Sequence, residues 1–197
     1  DKRSFPWRKS KDPYQILIAE IMLQRTKAEQ VVPVFLKFIE RFPSPKELNN
    51  AKMSEIESYF DKLGLIWRAK KVKCLSEKLV GDYNGSVPRE RSKLLALPGV
   101  GDYVADAVRC FAFDEDVAII DSNVCRVLRR VFGLEPKSEA RRSPLYKEIA
   151  EQLAPRGKCK EYNWAIIDHA SDICRPKNPK CEICSLNTIC NYYNFRF

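Results

Sequence analysis

The chain has 197 residues and 45% hydrophobic content, enough to bury a core in one large domain or two small interlocked ones. Its apolar runs, such as 31–36 with Pro33 inside it, fall far short of a bilayer span, and Asp1-Lys2-Arg3-Ser4 has no apolar signal region. A cytoplasmic, nucleoid-associated protein with no membrane partner is therefore expected, and a formal charge of +9 favours nucleic acid as the polyanion it meets.

The predicted elements are helical throughout. Asp12-Pro13 is an N-cap followed by proline at the first helical position. The helix after it carries Tyr14, Ile16, Leu17, Ile18, Ile21, Met22 and Leu23, is apolar nearly all round, and so is expected to be buried. Ser44-Pro45 opens a short helix in the same way, and Ser54 with Glu57 reads as a capping box. Residues 67–83 show helical spacing in Val72, Leu75 and Leu79, ended by Gly85 and Pro88. Basic residues cluster along that helix (Arg68, Lys70, Lys71, Lys73) and again at Arg126, Arg129 and Arg130. Further helices are predicted at 91–96, 102–113, 122–132 (stopped by Gly133 and Pro136), 145–153 and 162–174. The apolar run 117–120 is extended in character but too isolated for a sheet. The fold class is all-α.

Between two of these helices lies Leu97-Pro98-Gly99-Val100-Gly101. Two glycines around one small apolar residue make a tight turn with exposed backbone amides. The following helix begins at once, so its N-terminal amides suit a phosphate. Val100 is expected to tuck inward. Twenty residues after Gly101 comes Asp121, at the head of a basic helix. Its carboxylate suits either a helix cap or the stabilisation of a developing cation. Glu20 is a carboxylate inside an otherwise apolar helix, where burial disfavours its charged form.

Near the end of the sequence, Cys174, Cys181, Cys184 and Cys190 follow a C-x6-C-x2-C-x5-C spacing. Thiolates ligate zinc or an iron–sulfur cluster. Structural zinc tends to use two close pairs. One close pair flanked by two singles favours a compact four-iron, four-sulfur (4Fe-4S) cluster within one loop. A disulfide knot is disfavoured, because a chain of this length builds a core without staples. Cys74, Cys110, Cys125 and Cys159 are scattered singly and read as small core residues. His169 reads as a packed helix residue near the cluster.

Leu97–Gly101, Asp121 and the cysteine comb, in that order, resemble the helix–hairpin–helix DNA glycosylases of the endonuclease III and MutY group, from Pro6-Trp7-Arg8 to Cys190. The resemblance implies a two-lobed helical fold: residues 12–116 as a bundle carrying the hairpin, and 1–11 with 117–197 around the cluster. It implies a monomer acting on double-stranded DNA that holds a mismatched or damaged base, with the catalytic aspartate in the cleft between the lobes. Asp121 matches that aspartate, Glu20 a glutamate of MutY-type enzymes, and Asn123 a hydrogen-bonding partner. Gln24-Arg25-Thr26 resembles the segment that fills the gap left by a flipped nucleotide, and the loop around Leu65 offers an apolar wedge. Leu97, Gly99, Val100 and Gly101 would meet the backbone phosphate. Asp102 stands where a basic residue is expected beside the hairpin.

Tyr103 occupies the position at which strand-cutting members carry a Schiff-base lysine. A phenol forms no imine, so a monofunctional, water-using glycosylase is implied; Lys93 and Lys137 are not at the matching position. Phe5-Pro6-Trp7-Arg8, Asp12-Pro13-Tyr14, Arg25-Thr26, Tyr103 and Lys158-Cys159 are similar to the MIG-type enzymes, which remove thymine or uracil opposite guanine. The alternatives are a MutY-like adenine glycosylase, disfavoured by Gln24-Arg25, by Gly64-Leu65-Ile66 and by a sequence ending seven residues after Cys190, and an endonuclease III-like lyase. A non-catalytic DNA-binding module that uses the cluster as a redox sensor is the rival from another class.

Overall fold

A computed structural model describes residues 3–135 and 139–195. Among them all regular structure is helical, in two compact units: Ser4–Phe113, and the described residues from Asp114 onward together with Arg3. No described helix is long and apolar enough to cross a membrane. Pro136 and Lys137 lie outside the described residues.

The Ser4–Phe113 unit is built around α2 (Pro13–Leu23), which follows the short α1 (Pro6–Lys9). The Asp12 carboxylate accepts from the Tyr14 amide at 2.8 Å, and Pro13 supplies a preset first turn. Every residue from Ile16 to Met22 is buried, Glu20 included, as a helix apolar nearly all round requires. The sequence reading grouped residues 4–11 with the cysteine-rich unit. Instead α1 belongs here, because Trp7 is buried edge-on against Phe35, ring centroids 5.5 Å apart.

That Phe35 lies on α3 (Ala28–Arg41), a helix the sequence pattern did not show because Pro33 interrupts it. The proline costs about 3 kcal/mol inside a helix. Val31, Val34, Phe35 and Phe38 are buried on its other face, each contributing about 1.5–3 kcal/mol, so burial wins. Phe38 then meets Phe42, Tyr59 and Phe60 edge-to-face at 4.9, 5.4 and 6.0 Å, joining α3 to α5.

Ser44 caps α4 (Pro45–Asn50) through the Lys46 amide. The capping box at Ser54 does not form: α5 (Met53–Asp61) starts two residues earlier than that cap implies, with Lys52 as its cap. The long α6 (Trp67–Tyr83) ends where Asn84 turns left-handed, at φ 50°. α7 (Arg91–Leu95) and α8 (Asp102–Phe113) flank the hairpin.

In the second unit α9 (Ser122–Phe132) is a strut with two apolar faces. Val124, Cys125 and Leu128 pack with Tyr146 and Ala150 of α10 (Pro144–Leu153). Val127 and Val131 pack with Cys190 and with Ala170 of α11 (Cys159–Asp172). α11 starts three residues before the predicted 162–174 helix. The cysteine loop follows, closed by α12 (Asn191–Asn194). The run 117–120 is irregular and belongs to no sheet. It is pinned by buried Asn163, whose amide Nδ2 donates to the Val117 carbonyl (2.8 Å) and whose Oδ1 accepts from the Ile119 amide (3.1 Å).

Candidate functional site

Asp121 ends that pinned segment and caps α9. Its Oδ1 accepts from the backbone amides of Asn123 (2.8 Å) and Val124 (2.7 Å); its Oδ2 accepts from Asn123 Nδ2 (2.7 Å). Three donors hold the half-buried carboxylate in one orientation, and Oδ2 keeps a lone pair beyond the bond it accepts. Asn123 is itself held, its Oδ1 accepting from Arg126 Nη1 at 2.9 Å. Arg126 also donates through Nε to the Cys174 carbonyl and through Nη2 to the Ala170 carbonyl, both at 2.9 Å. A continuous chain of hydrogen bonds thus runs from Asp121 to the first residue of the cysteine comb.

Cys174, Cys181, Cys184 and Cys190 form no disulfide and line one pocket with His169 and Tyr192. Among the described residues no three His, Cys, Asp or Glu side chains converge to hold a single metal ion. Arg130 closes the loop around this pocket. Its guanidinium donates to the carbonyls of Arg175 (2.7 Å) and Pro176 (3.1 Å), lies 3.4 Å from Cys174 Sγ, and stacks 4.5 Å over the Tyr192 ring. His169 Nε2 lies 3.7 Å from Cys184 Sγ, and burial lowers its pKa. Arg126 and Arg130 are therefore struts of the cysteine loop rather than the exposed basic patch the sequence suggested.

In the hairpin, Gly99 takes φ 83°, which only glycine adopts without strain. The Val100 amide donates to the Leu97 carbonyl at 3.2 Å; Val100 is buried as expected, and Leu97, read as a phosphate-side residue, is buried too. Asp102, the exposed first residue of α8, is ion-paired with Arg91, which also holds Asp106 at 2.9 Å. Tyr103 is half-buried one residue further on.

Glu20 is 3% exposed. At the end of its helix Gln24 Nε2 donates to the Gly99 carbonyl at 3.4 Å, and Arg25 is exposed with φ 62°. Both are set by Arg68, another member of the supposed basic patch. Arg68 is buried and donates to the carbonyls of Ile21 (2.8 Å) and Gln24 (2.7 Å), satisfying the C-terminal end of α2. Burial, then the Arg25 charge, lowers its pKa. Lys73 likewise donates to the carbonyls of Asn49 and Ala51.

Leu65 does not present the apolar surface that a wedge needs. Leu65 is 7% exposed and belongs to the core, whereas Ile66 and Trp67 stand out at 51% and 53%. Sequence reasoning missed Asn163, Arg126 and Trp67. α11 mixes charged and apolar residues, so nothing in the sequence set Asn163 apart, and nothing distinguished the other two from surface residues.

Residues 18–155 match the HhH-GPD superfamily of base excision DNA repair proteins. The chain belongs to this superfamily. This HhH-GPD protein is 40% identical over 194 residues to a thymine/uracil-DNA glycosylase of Methanothermobacter thermautotrophicus, covering 98% of this chain and 88% of that one. It is similar in structure to a thermostable thymine-DNA glycosylase, with a TM-score of 0.90 and 39% identity, covering 98% of this chain and 90% of that one. It is also similar to a trapped endonuclease III–DNA covalent intermediate, with a TM-score of 0.83 and 25% identity over 93% of this chain and 85% of that one.

Proposed function

We infer that this HhH-GPD protein is a monofunctional DNA glycosylase that removes thymine or uracil opposite guanine, acting as a monomer on double-stranded DNA. The observation that carries the reading is the Asp121 carboxylate, held by three N–H donors with a lone pair to spare, in a chain 40% identical to a thymine/uracil-DNA glycosylase.

The chemistry follows from that carboxylate. As the C1′–N bond of the flipped nucleotide breaks, its electron pair leaves with the base and the sugar gains oxocarbenium character. A fixed anion lowers the barrier by opposing that charge. Water then bonds to C1′ and releases a proton. Asn123 and Arg126 keep the carboxylate from reorienting as charge builds. Glu20, buried in an apolar helix, is assigned the proton donated to the departing base. Tyr103 gives no imine, so the strand stays intact.

Four cysteines that line one pocket within one loop suit a 4Fe-4S cluster, as their spacing in the sequence does. When bound, the cluster would supply structural closure of the loop; Cys174, Cys181, Cys184 and Cys190 would hold it.

A panel of duplexes tests the reading. Thymine and uracil opposite guanine should be released, and adenine opposite oxidised guanine should not. Preferential release of adenine would favour the MutY-like alternative, and no release from any duplex would favour a non-catalytic DNA-binding module.

A further inference from the structure

We propose that Lys71 is a DNA-phosphate contact that works with the Gly99–Gly101 turn, held in place by Trp67. The proposal rests on the glycosylase reading and adds to it a binding residue outside the hairpin.

The stem of Lys71 runs along the bare face of Gly99. A Cβ placed on that glycine would lie 3.7 Å from Lys71 Cβ and 3.9 Å from its Cδ. The ammonium lies 5.3 Å from the Trp67 ring, one helical turn back. A small cavity of about 30 Å³ is lined by Gln24, Trp67, Arg68, Lys71, Pro98 and Gly99, so these side chains share one surface. Over half of the Trp67 side chain is left in solvent. The indole also meets the Arg68 guanidinium at 4.8 Å, so it faces two cations, of which Lys71 is the exposed one.

Charge pairing narrows the choice on α6 to the exposed Lys70 and Lys71, and the packing on Gly99 selects Lys71. On the helices flanking the turn every paired cation is already committed: Arg91 to Asp102 and Asp106, Lys93 to Glu90, Arg109 to Asp106. Asp102 puts a negative charge at the start of α8, where a phosphate would approach. Arg91 neutralises it but adds no surplus. On α6, Arg68 and Lys73 are spent on backbone carbonyls. Lys71 is exposed, and among the described residues no carboxylate pairs with it. Its stem packs on a glycine turn, and a compact point charge carried beside such a turn suits a phosphate. The contact is to backbone phosphate, so it carries affinity rather than base preference.

The test is equilibrium binding to a duplex carrying 2′-fluorinated thymidine opposite guanine, which resists base release, across a salt series. Lys71→Gln should weaken binding roughly threefold to tenfold whatever the mismatch, and make the slope of log K against log[salt] shallower by about 0.9. Lys70→Gln, one residue away but not packed on Gly99, should keep the wild-type slope. Trp67→Leu should weaken binding less than Lys71→Gln and leave the preference for thymine–guanine over thymine–adenine duplexes unchanged. A wild-type slope in Lys71→Gln would overturn the proposal, as would a changed mismatch preference in Trp67→Leu, which would make the indole a base reader. If wild-type protein releases thymine and only these variants behave otherwise than expected, the glycosylase reading stands and this proposal fails.

Discussion

Asp121 and Asn123 hold each other twice over: the aspartate Oδ1 accepts the Asn123 backbone amide at 2.8 Å, and its Oδ2 accepts the Asn123 side-chain amide at 2.7 Å. The pairing makes one residue both a helix cap and an oriented anion. An aspartate that only capped α9 would need no partner on its second oxygen.

Substituting Asp121→Asn therefore separates the two roles. Asparagine caps helices as well as aspartate, so the fold and duplex binding should persist. Base release should fall by roughly a thousandfold or more, the scale of losing a preorganised electrostatic contact. Single-turnover release from a thymine–guanine duplex checks this, with circular dichroism as the fold control.

Asn163 should matter to stability and to the placement of Asp121. Asn163→Leu strips partners from the Val117 carbonyl and the Ile119 amide, each costing about 1–3 kcal/mol when buried and unsatisfied. Urea unfolding should show a loss of roughly 2–4 kcal/mol if both groups stay buried. A stability within 0.5 kcal/mol of wild type, roughly the range of neutral surface changes, would show that water replaces the side chain.

Arg68 holds the end of α2 in the same way, from within the other unit. Arg68→Met should cost about 2–4 kcal/mol, because the Ile21 and Gln24 carbonyls lose their donor. It should also weaken duplex binding by freeing Gln24. The same urea titration and an anisotropy assay measure the two effects.

Cys125 should resist alkylation. Burial first, then the Asp121 charge, pushes its thiol up to about 11. The shift disfavours the thiolate in the folded state, so folding protects the thiol at pH 8.5 and stability falls as pH rises from about 9 toward 11. Mass spectrometry after iodoacetamide treatment of native protein at pH 8.5 should find Cys125 unmodified; labelling as fast as in urea would contradict its burial.

Much of this molecule was readable before its coordinates. α2, α6, α8 and α9 follow from caps, glycine stops and apolar spacing, since those signals are local. The hairpin and Asp121 were readable for the same reason. α3 was hidden because a proline is a local signal and the burial of Phe35 and Phe38 is not. The basic clusters misled: Arg68, Arg126 and Arg130 look like surface charge in sequence, but each serves carbonyls 44 to 48 residues away along the chain or nearby. Leu65 and Ile66 are equivalent as letters; only packing decides which of them faces solvent.

The central claim is most directly tested by incubating the protein with a duplex that carries thymine opposite guanine and resolving the strands with and without alkali. Breaks that form only after alkali, and vanish in Asp121→Asn, are the predicted result. Breaks without alkali, or release that survives the substitution, would contradict it.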